Sequence, residues 1–187
     1  GEDNVDYLFN VGNYGKTNVN EFTLDGVICR NAIQYVLHNQ TDASISLSNV
    51  NINSNSGPVV YGFGDVDIRK SVLSKNNTYN VINTKGNNIS IVNTTIENNR
   101  TSSQFIYISS EEDVYVNFDS VSCLNNRILD ILDNSNCDLS VSNSHFSGNY
   151  AYSSSYFAYV KQIKSHDNVF EKNRGNYGIY NTSLGSI

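Results

Sequence analysis

One step returns seven times along the chain: an apolar residue, two residues of varied type, then asparagine. It reads ICRN at 28–31, INSN at 52–55, LSKN at 73–76, IENN at 96–99, CLNN at 123–126, FSGN at 146–149 and FEKN at 170–173. The closing residues, Asn31, Asn55, Asn76, Asn99, Asn126, Asn149 and Asn173, are separated by 24, 21, 23, 27, 23 and 24 residues. Asparagine is abundant, 31 of 187 residues, so a single match carries no weight. Seven matches at near-even spacing are the mark of a stacked repeat, in which each unit buries its apolar face only against its neighbours.

A second signal travels with the first. Ahead of each anchor lies an alternating apolar pair: Ile45/Leu47, Val66/Ile68, Ile89/Ile91, Val116/Phe118 and Leu139/Val141. The first copy offers Phe22/Leu24, one residue out of register, and the last decays to Ile163/Ser165. Alternation with period two is a strand with one face buried. Three residues before the anchor stands Asp25, Asn49, Lys70, Asn93, Ser120, Asn143 or Asp167, mostly turn formers. After each Asn comes a third apolar cluster, such as FIYI at 105–108 or YFAYV at 156–160. The chain is therefore expected to be all-β: a parallel β-helix of about seven rungs of about 23 residues, with three short strands per rung. At ~4.8 Å per rung it would stand roughly 35 Å tall. Ile28, Ile52, Leu73, Ile96, Cys123, Phe146 and Phe170 are expected inside the coil, each large side chain worth about 1.5–3 kcal/mol on burial. The repeated Asn is expected at a corner, where its amide donates and accepts at once and so can link rung to rung.

Composition agrees. Asn, with 25 Ser, 9 Thr and only 4 Ala, disfavours helices, because these polar side chains compete for backbone hydrogen bonds. Yet 39% apolar residues and 13 Tyr are more than a disordered chain usually carries. A net charge of -6 with scattered basic residues argues against a nucleic-acid partner. No apolar run approaches the ~18 residues of a membrane-spanning helix. Cys29, Cys123 and Cys137 lack CxxC spacing and are read as buried free thiols.

The F-x-x-N step, present as FSGN and FEKN, resembles the repeat of chlamydial polymorphic outer-membrane proteins and of adhesin-like surface proteins of methanogens. In those families it alternates with a Gly-Gly-Ala-Ile element, to which GNYGIYN at 175–181 and, more faintly, SGPVVY at 56–61 are similar. The resemblance implies a right-handed β-helix on a cell surface, extracellular, with an adhesive or shielding role.

Many β-helices cleave polysaccharides, so the outward residues matter. A hydrolytic or lyase site needs two or three carboxylates together on one face. The outward positions of the first strand, among them Asp67/Arg69, Asn117/Asp119 and Lys164/His166, supply no second acid on a neighbouring rung. Glu111, Glu112 and Asp113 are calcium candidates by their oxygen ligands, against the plainer reading of a solvated acidic loop. His38, His145 and His166 lie on separate rungs, without metal-ligand spacing. The residues call for no cofactor, no catalytic residue and no metal site beyond those acids.

Tyrosine is the most suggestive surface feature. Tyr35, Tyr61, Tyr79, Tyr107, Tyr156, Tyr159 and Tyr180 lie in or beside the third cluster of most rungs. Rings facing out could stack on sugars or bury against a protein partner; otherwise they cover the strand. Six N-x-Ser/Thr sequons, at Asn39, Asn76, Asn88, Asn93, Asn99 and Asn181, are about what chance supplies. VDYLF at 5–9 reads as part of an earlier rung and SLGSI at 183–187 as the start of another. The expectation is one solenoid domain over 1–187, a fragment of a longer protein or a unit continued end to end. Its expected role is non-catalytic, as surface adhesin, shield or spacer toward glycans or another protein. The alternatives are a carbohydrate-active β-helix enzyme and a filament-forming unit.

Overall fold

The computed structural model describes residues 5–12, 19–152, 155–158, 160–175 and 177–180, without the side chains of 5, 7, 155, 156, 158 and 177–180. All regular structure there is β, and every strand pairing is parallel. Parallel neighbours ordinarily need a long crossover. Here the remainder of each rung is that crossover, so the chain coils as a β-solenoid.

The first sheet stacks seven strands, from Glu21–Asp25 to Gln162–His166, and holds the alternating pairs. Phe22 pairs with Ile45 and Leu24 with Leu47, and the same register runs on through Val66/Ile68, Ile89/Ile91 and Val116/Phe118. The second sheet stacks the seven three-residue anchor strands, from Ile28–Arg30 to Val169–Glu171. The third has eight strands, from Val5–Val11 to Tyr177–Tyr180. Seven strands in each of two sheets make about six full turns from first to last.

The core is the stack of inward residues. Ile52, Leu73, Ile96, Cys123 and Phe146 are buried, as are Val60, Ile82, Ile106, Leu132 and Phe157 from the third sheet. Aromatic packing concentrates in the last turns, where Phe157 meets Phe118 and Phe146 edge-on, each at 5.8 Å between ring centres. Phe170 stacks flat on Phe146 at 4.7 Å. Cys29, Cys123 and Cys137 are buried free thiols. Burial pushes Cys123 and Cys137 up to about 12, the latter helped by Asp138.

Several expectations are corrected. Phe170, expected inside the coil, is 37% exposed, because it lies on the last anchor strand of that sheet and packs on Phe146 from one side only. In the first rung Cys29, not Ile28, pairs with Ile52; Cys29 is buried while Ile28 is 68% exposed. The frame there moves by one, so Ala32 takes the ladder position expected of Asn31. Asn31 instead holds the left-handed backbone place just before it, at φ 65°. The rung also has more than three strands in its middle turns. A short fourth ladder, of Asn77–Thr78, Arg100–Thr101, Arg127–Ile128 and Tyr150–Ala151, follows the asparagine corner.

Each rung turns twice through a left-handed residue. The first corner uses Gly26, Asn49, Lys70, Asn93, Ser120, Asn143 and Asp167, so Gly26 replaces the expected Asp25. The second uses Asn31, Ser54, Lys75, Asn98, Asn125, Gly148 and Lys172. The ladder asparagine is the residue after this turn.

Candidate functional site

The asparagine column has the geometry that places everything outside it. Asn55 donates from Nδ2 to Oδ1 of Asn76 at 2.9 Å, Asn76 to Asn99 at 2.9 Å, and Asn99 to Asn126 at 3.0 Å. Asn126 continues to Asn149 at 2.9 Å, and Asn149 to Asn173 at 3.1 Å. Each Oδ1 also accepts the backbone N–H of the ladder residue one rung before, beginning with Ala32 to Asn55. The second amide hydrogen goes back to an anchor carbonyl, as Asn99 does to Leu73 at 2.8 Å. Asn55, Asn76, Asn99, Asn126 and Asn149 are buried and Asn173 half-buried, so the sequons at Asn76 and Asn99 cannot carry a glycan in the folded chain.

Because the column fixes register, the residues at constant offset from it form straight outer columns. The residue directly after the ladder is Asn77, Arg100, Arg127, Tyr150 and Arg174 in successive rungs, paired one on the next. The residue before it is Lys75, Asn98, Asn125, Gly148 and Lys172. Three residues after it come Tyr79, Ser102, Leu129 and Tyr152. All of these but Lys75, Asn98 and Leu129 border two adjoining concavities of about 670 and 390 Å³ that share Tyr152. Tyr79, Tyr150 and Tyr152 are 65%, 40% and 47% exposed, and the last two meet edge to face at 4.9 Å. Among the described residues the lining holds no carboxylate, and neither Arg100 nor Arg127 forms an ion pair. Five of the chain's 12 cations stand on these columns.

Sequence reading treated the basic residues as scattered and missed this face. The signal was present as NNR at 98–100, NNR at 125–127 and KNR at 172–174, an Arg after a ladder Asn three times over.

The tyrosines singled out from sequence are dispersed. Tyr35 and Tyr61 stack at 4.4 Å, with His38 against both at 5.0 and 5.5 Å. Register on the third sheet then runs His38, Tyr61, Asn83, Tyr107, so the rings do not form an unbroken column. Tyr79 lies on the basic face instead. Tyr159 and the side chains of Tyr156 and Tyr180 lie outside the described residues.

The acidic loop divides its side chains. Glu112 accepts from Asn87 Nδ2 at 2.6 Å, and Asp113 pairs with Lys161 at 2.8 Å. Among the described residues no three His, Cys, Asp or Glu side chains converge as a metal site. Asp67 pairs with Arg69 at 2.6 Å. Asp119, in a different column, accepts from Asn143 and Ser142, which hold its carboxyl below its ordinary range. His145 and His166 face Glu171 and Asp167 respectively.

No helix of the described residues is long and apolar enough to cross a membrane. No protein-family model, curated protein or solved structure matches the chain.

Proposed function

We propose that this chain is a non-catalytic solenoid of the cell surface, extracellular, serving as an adhesin or as the shield and spacer that carries one. The observation that supports this most is the groove beside the asparagine ladder. It gathers exposed rings and cations along one straight face, as a surface that holds an extended ligand requires. Bond cleavage in a glycan needs an acid and a base or nucleophile, and the described lining offers neither as a carboxylate. The F-x-x-N step, with its likeness to the repeats of bacterial and archaeal surface proteins, points the same way. A rod of stacked rungs suits display, because its length grows one rung at a time without disturbing the rungs below.

The test is incubation of the full chain with a panel of polysaccharides, with and without calcium, following both binding and the appearance of reducing ends or unsaturated products. Retention without products is the expected result. Products that scale with protein concentration would overturn the non-catalytic reading.

A further inference from the structure

We infer that the groove beside the asparagine ladder binds an acidic polysaccharide laid along the solenoid axis. This inference rests on the surface-binding reading above and adds the ligand class and the residues. Arg100 and Arg127 occupy adjacent rungs, ~4.8 Å apart along the axis, and Arg174 lies two rungs beyond Arg127. A guanidinium grips a carboxylate or sulfate through two parallel N–H donors, so the column offers anion sites at rung intervals. Tyr79 and Tyr152, both exposed, flank it with rings on which sugars can stack through their C–H surfaces. Asn77, Ser102 and Asn125 add amides and a hydroxyl suited to the polyol between the charges.

Charge decides between polymers. The whole chain carries -6, so these columns are a local exception set in a repelling field. A nucleic acid, with a phosphate on every residue, meets that field along its whole length, and its binding needs an extended basic footprint. A polysaccharide with spaced anionic groups fits the groove's Arg100, Arg127, Lys172 and Arg174, set with gaps along the rungs, and uses the hydroxyl-bonding residues as well.

The experiment is a biosensor measurement with the full chain, using polygalacturonate and dextran sulfate as acidic probes, dextran as the neutral probe and an oligo(dT) strand. The variants are R100Q/R127Q on the groove, Y152A beside it and K164Q on the first sheet. All are at exposed positions, and circular dichroism checks that each retains the wild-type spectrum. The expected result is binding of at least one acidic polysaccharide that weakens with salt. It should weaken about tenfold or more in R100Q/R127Q, about threefold or more in Y152A, and less than twofold in K164Q. Unchanged affinity in R100Q/R127Q, equal binding of neutral dextran, tighter binding of oligo(dT), or no binding to any acidic probe would each overturn the inference. Those outcomes leave the display role untouched. Product release overturns the non-catalytic reading, and loss of binding in R100Q/R127Q would still locate the site.

Discussion

The two corners of each rung share a backbone and differ in chemistry. Both turn through a left-handed residue, at φ between 49° and 67°. After the second corner the chain places Asn in six successive rungs, and their amides join without a break from Asn55 to Asn173. After the first corner the equivalent residues are Val50, Ser71, Thr94, Val121, Ser144 and Asn168. The links there form two short runs of backbone N–H to side chain, Val50 to Ser71 to Thr94 and Val121 to Ser144 to Asn168, with no side chain joined to side chain. Val121, with no acceptor to offer Thr94, breaks the line, and Val50 stands at its start. The turn itself therefore does not demand asparagine. What demands it is a column in which every amide is donor to one rung and acceptor from another, so that removing one member strands its neighbours.

The largest expected effect follows directly. In Asn99→Ala, the backbone N–H and the Nδ2 of Asn76 both lose their acceptor, and Leu73 O loses its donor. At about 1–3 kcal/mol for each of these three stranded buried groups, the loss should be about 3–9 kcal/mol in urea unfolding. Asn99→Asp restores the acceptor but not the donor to Asn126 Oδ1, and it buries a charge, so it should not rescue. Near-wild-type stability in either variant would break the contrast between the corners.

Thr94→Val at the first corner should cost only about 1 kcal/mol. Its Oγ1 receives a long 3.4 Å bond from Ser71, and Val already serves this place at 50 and 121. A loss approaching that of Asn99→Ala would mean that the two corners are equally dependent on side-chain bonding. Ala32→Asn runs the other way, extending the column by one rung toward Asn55. The gain expected is about 0.5–1 kcal/mol, or a rise of about 1–4 °C in Tm by calorimetry. A fall in Tm would show that the first rung lacks room for the amide.

The misreading of that first rung shows what was legible and what was not. Period-two pairs, turn formers and evenly spaced asparagines made the parallel stack readable before any coordinates. The frame slips at Ile28 because Ile28 and Asn31 satisfy the repeat by letter, while Cys29, read as buried, is not set in the ladder beside Ile52. The spacing from the pair would have corrected it. Leu47 to Ile52, Ile68 to Leu73 and Ile91 to Ile96 are each five residues, and so is Leu24 to Cys29. The basic face was hidden for a different reason. Its ladder strands are two residues long, too short to show alternation, and its function-bearing residues emerge only when rungs are overlaid. Arg100, Arg127 and Arg174 are far apart in the chain and share a face because the asparagine column holds the register.

The smallest expected effect is on the outer side of the first corner, where titration enters. Asp119 accepts hydrogen bonds from Asn143 at 2.9 Å and Ser142 at 2.9 Å, and these hold its carboxyl below the ordinary value of 3.8, with a minor contribution from His166. The unfolded chain then binds a proton at Asp119 more readily than the folded one does. The associated stability is thus fully present above that ordinary value and fades as pH falls through the lower folded value. The side chain is half-buried on the outer face, still in reach of solvent, so the effect should be small and salt-sensitive. Calorimetry of wild type and D119N across an acid series should show a modest wild-type advantage near neutrality that closes in strong acid. The asparagine column carries no titratable group, and the deficit of Asn99→Ala relative to wild type should keep its size across the same series. If the Asn99→Ala deficit also closed in acid, the corner that bonds through neutral amides would have to be coupled to a carboxylate outside it.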